Sequence, residues 1–223
     1  MKFSIRNITL KIITAASAFC CAGLPASARE FEGNGSGSAF FDRIRFSCEW
    51  GYVQSLALSY HYNILSEEGY RIDESYSGFS PYPNGMMMFG AGFVPRGDML
   101  SISLHGGCSG IHEDNRIIPV TLRMSFFPKK VANDGIFYLA EAGAGFHVPK
   151  TFKTRVSLVT RIGGGYRFAL TRRCAIDLSA TIMAAVSKPP VPNPDGPGYA
   201  AEQNIRSNSA SYLAASLTIA VNL

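Results

Sequence analysis

The segment that most constrains the fold is the last one, Tyr212 to Leu223, which reads YLAASLTIAVNL. Its odd positions, Leu213, Ala215, Leu217, Ile219, Val221 and Leu223, are all apolar. Its even positions, Tyr212, Ala214, Ser216, Thr218, Ala220 and Asn222, are mostly small or polar. A period of two demands a strand with one oily and one polar face. The pattern runs to the final residue, where the chain of most domains frays.

Met1 to Ala28 reads as a Sec-type export signal. Lys2, Arg6 and Lys11 form a positive start, Ile12 to Leu24 is mostly apolar, and Ala26-Ser27-Ala28 is an A-x-A cleavage site. The apolar run is too short for a membrane helix. Phe19 before Cys20 and Cys21 fits a lipobox poorly. Cleavage near Ala28 removes those three cations and takes the formal net charge from +5 to +2. So small a charge gives no case for nucleic-acid binding. Residues 29–40 are rich in Gly and Ser and read as a flexible arm. Residues 41–223 are expected to form one β-domain, and they hold no apolar run long enough for a membrane helix.

Within that domain the sequence predicts eight strands: Ile44–Tyr60, Met86–Val94, Leu100–Cys108, Ile118–Phe126, Ile136–Phe146, Val156–Leu170, Cys174–Val186 and Tyr212–Leu223. In the seventh, Ile176, Leu178, Ala180, Ile182 and Val186 alternate with Asp177, Ser179 and Thr181. In the first, the even positions Ile44 to Leu58 are apolar except Gln54. Pro95-Arg96-Gly97-Asp98 and Thr171-Arg172-Arg173 are tight turns. His61–Gly85 and Ser187–Ala210 read as long loops on the other side. An even strand count puts both termini on the short-turn side.

A soluble barrel also alternates, but its outer face must meet water and carry many charges. Here the polar face is mostly Ser, Thr, Gly and Ala, and charged residues are only 17% of the chain, against roughly 25% in soluble domains. Small residues suit the lumen of a narrow barrel, which leaves the apolar face outward. The signal, the eight alternating strands, the turn-and-loop asymmetry and the apolar last strand resemble small outer-membrane β-barrels of Gram-negative bacteria, of the OmpA and OmpX type. The resemblance covers residues 41–223 and is one of pattern. It implies an all-β, eight-stranded antiparallel up-and-down transmembrane barrel in the bacterial outer membrane. It also implies a monomer that meets outer-membrane lipid and lipopolysaccharide. Leu213, Leu217, Ile219, Val221 and Leu223 would be the strand read by the barrel-assembly machinery. Such proteins often end in an aromatic residue, and this chain ends in Leu223. Phe46, Phe126, Tyr138, Tyr166 and Phe168 near the turn side, with Tyr60 and Phe146 near the loop side, would form the two interfacial belts.

Lumen-facing parity collects Arg45, Glu49, His105, Arg123, Glu141, Arg161, Arg167 and Asp177. Buried charges must pair, and neighbouring strands offer Arg123 to Glu141, Glu141 to Arg161 or Arg167, and Arg167 to Asp177. This is read as a polar network that plugs the barrel rather than a selective channel. Ser103, His105 and Asp177 do not make a triad, because strands three and seven are not neighbours and no G-x-S-x-G occurs. The loose candidates for lipid-modifying chemistry are His112, Glu113 and Asp114 with His147 and Ser207. Glu67, Glu68, Asp73 and Glu74 match no calcium-loop spacing. Cys48, Cys108 and Cys174 fall on the outward parity of non-adjacent strands, so no disulfide is expected. No cofactor, metal or nucleic-acid partner is expected. The expected role is structural or surface-interacting and without catalysis. The alternatives are a lipid-modifying enzyme, a narrow pore, or a soluble lipocalin-like binder.

Overall fold

A computed structural model describes residues 43–112, 115–147, 156–171, 174–189 and 191–223. The expected signal peptide, residues 1–28, and the Gly/Ser arm, residues 29–40, lie outside them. The strands are β1 (Ile44–Leu65), β2 (Arg71–Phe93), β3 (Leu100–His112), β4 (Asn115–Phe126), β5 (Gly135–His147), β6 (Val156–Ala169), β7 (Ala175–Ser187) and β8 (Ile205–Asn222). Each pairs antiparallel with the next, and β8 pairs back to β1, so the sheet closes on itself. Closure removes the free edges that an open sheet would expose. It extends past the last strand residue: Phe46 and Leu223 exchange backbone bonds of 3.0 and 2.8 Å.

Alternation sets inside and outside. On β8, Leu217 is 65% exposed and Leu213, Ile219 and Leu223 are also exposed, while Tyr212, Ala214, Ser216, Thr218 and Ala220 are buried. The same holds round the ring, where Leu104, Leu122, Ile136, Leu158, Ile162 and Leu178 all face outward. The exterior is thus an apolar belt, and Phe46, Phe126, Tyr138, Tyr166 and Phe168 stand exposed toward its turn side.

Two expectations need correction. First, His61–Gly85 is not a long loop. β1 runs on to Leu65 and β2 begins at Arg71, so this stretch is a hairpin whose turn is Ser66–Tyr70. It holds Pro81 and Pro83. Proline is tolerated in a strand whose other edge has no partner, and above Met86 β2 pairs only with β1. With β8 also long, β8, β1 and β2 form a three-stranded fin rising past the remaining strands. Second, a register shift between Ser55 and Ala57 reverses the parity of β1. A bulge inserts one residue and moves every later side chain to the other face. Leu58 and Tyr60 therefore pack inward against the interior cluster, and Tyr60 is not part of an outer belt. The rest of the inner face is mainly Ser, Thr, Gly and Ala, as expected, and two apolar layers interrupt it. Val94, Phe127, Val131, Phe137 and Leu139 form an apolar layer at the turn end. Val53, Met86, Met88, Ile111, Ile117, Val159, Met183 and Tyr212 form another toward the loop end.

Candidate functional site

Four charged residues, Glu49, Arg123, Glu141 and Arg161, lie between those two apolar layers. Glu49 on β1 is almost wholly buried, and one of its oxygens accepts from Arg123 Nη2 at 2.5 Å while the other accepts from Arg161 Nη2 at 2.7 Å. Glu141 Oε2 accepts from Arg123 Nε at 2.9 Å and lies 3.4 Å from Arg161 Nη1, and its Oε1 accepts from Thr121 at 2.5 Å. Two arginines and two glutamates thus form a closed, neutral quartet. Charges taken out of water need such mutual hydrogen bonding, since an unpaired one costs several kcal/mol. Arg161 Nε also donates to Thr181 at 3.3 Å, and Thr181 bonds Ser216 at 2.6 Å.

A second pair sits nearer the turns. Arg167 grips Asp177 with two bonds of 2.7 and 2.6 Å, donates to the Val131 carbonyl at 3.0 Å, and lies 4.2 Å above the Phe127 ring. Asn222 donates to the same carboxylate at 3.0 Å. Arg45, half-buried, donates to the Ile44 carbonyl at 3.2 Å. His105 is buried and its Nε2 bonds Ser103 at 2.9 Å. Gly90 makes its room: a Cβ there would stand 2.5 Å from His105 Cε1 and 2.4 Å from Ser47 Oγ. Asp177 belongs to Arg167, so Ser103, His105 and Asp177 are not brought together.

Register places the pairs that neighbouring strands allow. Arg123 faces Glu141, Glu141 faces Arg161, and Arg167 faces Asp177. The bonds from Glu49 on β1 to β4 and β6 cross the lumen. Strand adjacency does not contain them, and sequence reasoning missed them. The only available signal was a lone inward acid on β1 facing a surplus of inward arginines.

At the rim, His112 Nε2 bonds Ser80 at 2.9 Å, and its ring lies between Tyr82 and Tyr212. Glu113 and Asp114 lie outside the described residues. His147 on β5 and Ser207 on β8 are three strands apart in the ring. On the fin, Asp73 accepts from Asn63 at 2.7 Å and pairs with His61 at 2.9 Å, and Tyr62 donates to Glu74. That bond pushes the Tyr62 hydroxyl up to about 12. Asp195 in the β7–β8 loop accepts from Ser66 Oγ at 2.7 Å, Glu67 N–H at 2.7 Å and Tyr70 Oη at 3.0 Å, so it clasps the hairpin tip. Those donors hold its carboxyl below the usual range, the Ser66 bond contributing most. Among the described residues no group of His, Cys, Asp and Glu is placed to hold a metal. Cys48, Cys108 and Cys174 form no disulfide.

No protein-family model and no curated protein matches the sequence. Solved structures do resemble the fold. The outer membrane protein OprG from Pseudomonas aeruginosa aligns over 81% of this chain and 96% of its own, at 10% identity and a TM-score of 0.43. Ail, the attachment invasion locus protein of Yersinia pestis, aligns over 81% of this chain and 99% of its own, at 13% identity and a TM-score of 0.33. The Ail structure contains the heparin analogue sucrose octasulfate.

Proposed function

We propose that this chain is an integral outer-membrane barrel with an occluded lumen, and that it works through the surface on its loop side rather than by conduction or catalysis. One observation carries the reading: the polarity is inverted relative to a soluble barrel. Leucine, isoleucine and phenylalanine cover the outside, while arginine, glutamate and aspartate are paired within. Water would not tolerate that exterior as a continuous band, and lipid would. The layers support the occlusion. The charged quartet is sealed by apolar clusters on both sides, and the void lined by Glu49, His105, Arg123 and Arg167 is about 40 Å³. That is room for a water or two and no solute.

Outer-membrane lipid and lipopolysaccharide are the surrounding partners in this reading, the monomer is the working unit, and β8 is the strand the assembly machinery reads. The surface offered outward is the fin, with its stacked Tyr60, Tyr62 and Tyr76 rings, held to the β7–β8 loop by Asp195. Planar-bilayer recording tests the closed lumen. The wild-type barrel should give no steady open channel, and sustained unitary conductance from it would overturn the occluded reading.

A further inference from the structure

Among the described residues, the wall opens between β2 and β3. The β2–β3 ladder ends at Met86 opposite Ser109, although β2 continues toward the fin and β3 continues to His112. Pro83, which faces Gln54 of β1, lies just beyond that end and has no N–H to lend to a further ladder bond. The result is a cleft of about 730 Å³, within the roughly 300–1,000 Å³ of pockets that hold small ligands.

Its lining comes from both faces of the wall. Tyr52 and Met87 belong to the exposed apolar exterior, while Met86 and Ser109 point inward and are buried. Two buried polar atoms at its inner side, Asn84 Nδ2 and Ser109 Oγ, have no hydrogen-bond partner among the described residues. Such orphans are costly. Arg116 stands at its rim, exposed. The lining therefore presents an apolar trough continuous with the belt, a cation at the mouth, and a donor and hydroxyl with unused capacity.

We propose that this cleft is a binding site for a lipid-like amphiphile, one acyl chain with an anionic head, taken from the surrounding membrane. The chain lies along Tyr52, Met86 and Met87. The head is held by Arg116, and an oxygen of the ligand accepts from Asn84 Nδ2. The proposal rests on reading the exterior as lipid-facing. The interior apolar layer, with Ile117 at the cleft's inner wall, makes it a seat and not a passage.

The test is native mass spectrometry of the folded full chain, released from a neutral detergent after incubation with dodecyl phosphate, with dodecanol as the uncharged comparison. Folding of every variant is checked beforehand by its cold-SDS gel mobility, so a failed site is distinguishable from a failed barrel. The expected result is a single dodecyl phosphate adduct, weakened roughly tenfold in Arg116→Ala, as expected for loss of a charge-assisted contact. Ser109→Leu, which fills the inner end, should abolish it. A ladder of adducts indifferent to both variants, equal retention of dodecanol, or no adduct at all would each overturn the proposal.

Discussion

Replacing Glu49 by Gln should be the most damaging conservative change in the barrel. Glu49 supplies one oxygen to Arg123 and the other to Arg161, both side chains nearly sealed from solvent. Without its charge, two guanidinium groups share one carboxylate, Glu141, and a net cation is buried. Breaking a buried pair by neutralising one partner costs about 3–5 kcal/mol. With a urea slope of roughly 2 kcal/mol per molar, the unfolding midpoint falls by about 2 M. The assay is reversible urea unfolding of barrel folded into phosphatidylcholine vesicles, read by gel mobility without boiling. Glu49→Gln combined with Arg161→Gln restores neutrality and should recover part of the loss, since residues in one network are not additive. If the single change costs less than about 1 kcal/mol, or the double change costs the sum of both singles, the quartet does not act as a unit and the reasoning fails.

Leu217→Arg puts a charge in the middle of the outer belt and should cost roughly 2–4 kcal/mol in the same assay; an unchanged midpoint would mean that this face meets water. Phe137→Ala removes one of the two phenylalanine rings of the apolar layer at the turn end, and also the 5.3 Å contact with Phe127 that supports Arg167. A loss of about 3–5 kcal/mol is expected. The Asp195 clasp depends on pH. Its folded-state value lies below the usual 3.8, so its contribution is complete above that usual value and is lost as pH falls through the folded one. The protection factor of the Glu67 amide against hydrogen exchange should be high at neutral pH and fall on acidification, and Asp195→Ala should make it low at every pH.

Much of the fold was legible because alternation is a local property. On β5 and β7 each residue's neighbour decides its face, and β3 to β7 begin and end within a few residues of where their patterns do. The parity of Arg123, Glu141, Arg161, Arg167 and Asp177 placed all five inside, and register brought the expected neighbours together. The failures are non-local. Leu56 lies at a bulge, and no feature of LSYHY says that one residue is extra, so Leu58 and Tyr60 were put on the wrong face. The hairpin beyond His61 is stabilised by pairing along both strands, a partnership that a local pattern does not contain. Glu49 reaches β4 and β6 through space that only a closed ring creates. The apolar layers around Phe137 and Met183 were visible as odd residues on nominally polar faces, but their role as seals depends on depth, which a sequence does not record.

The inverted polarity of the barrel is tested most directly by separation of the envelope followed by gel mobility of the extracted protein in SDS, with and without boiling. The chain should be found in the outer-membrane fraction and migrate differently when unboiled, as a folded barrel that resists SDS. A protein recovered from the periplasm or medium, with one mobility under both conditions, would contradict a lipid-facing belt and return the apolar surface to some other covering.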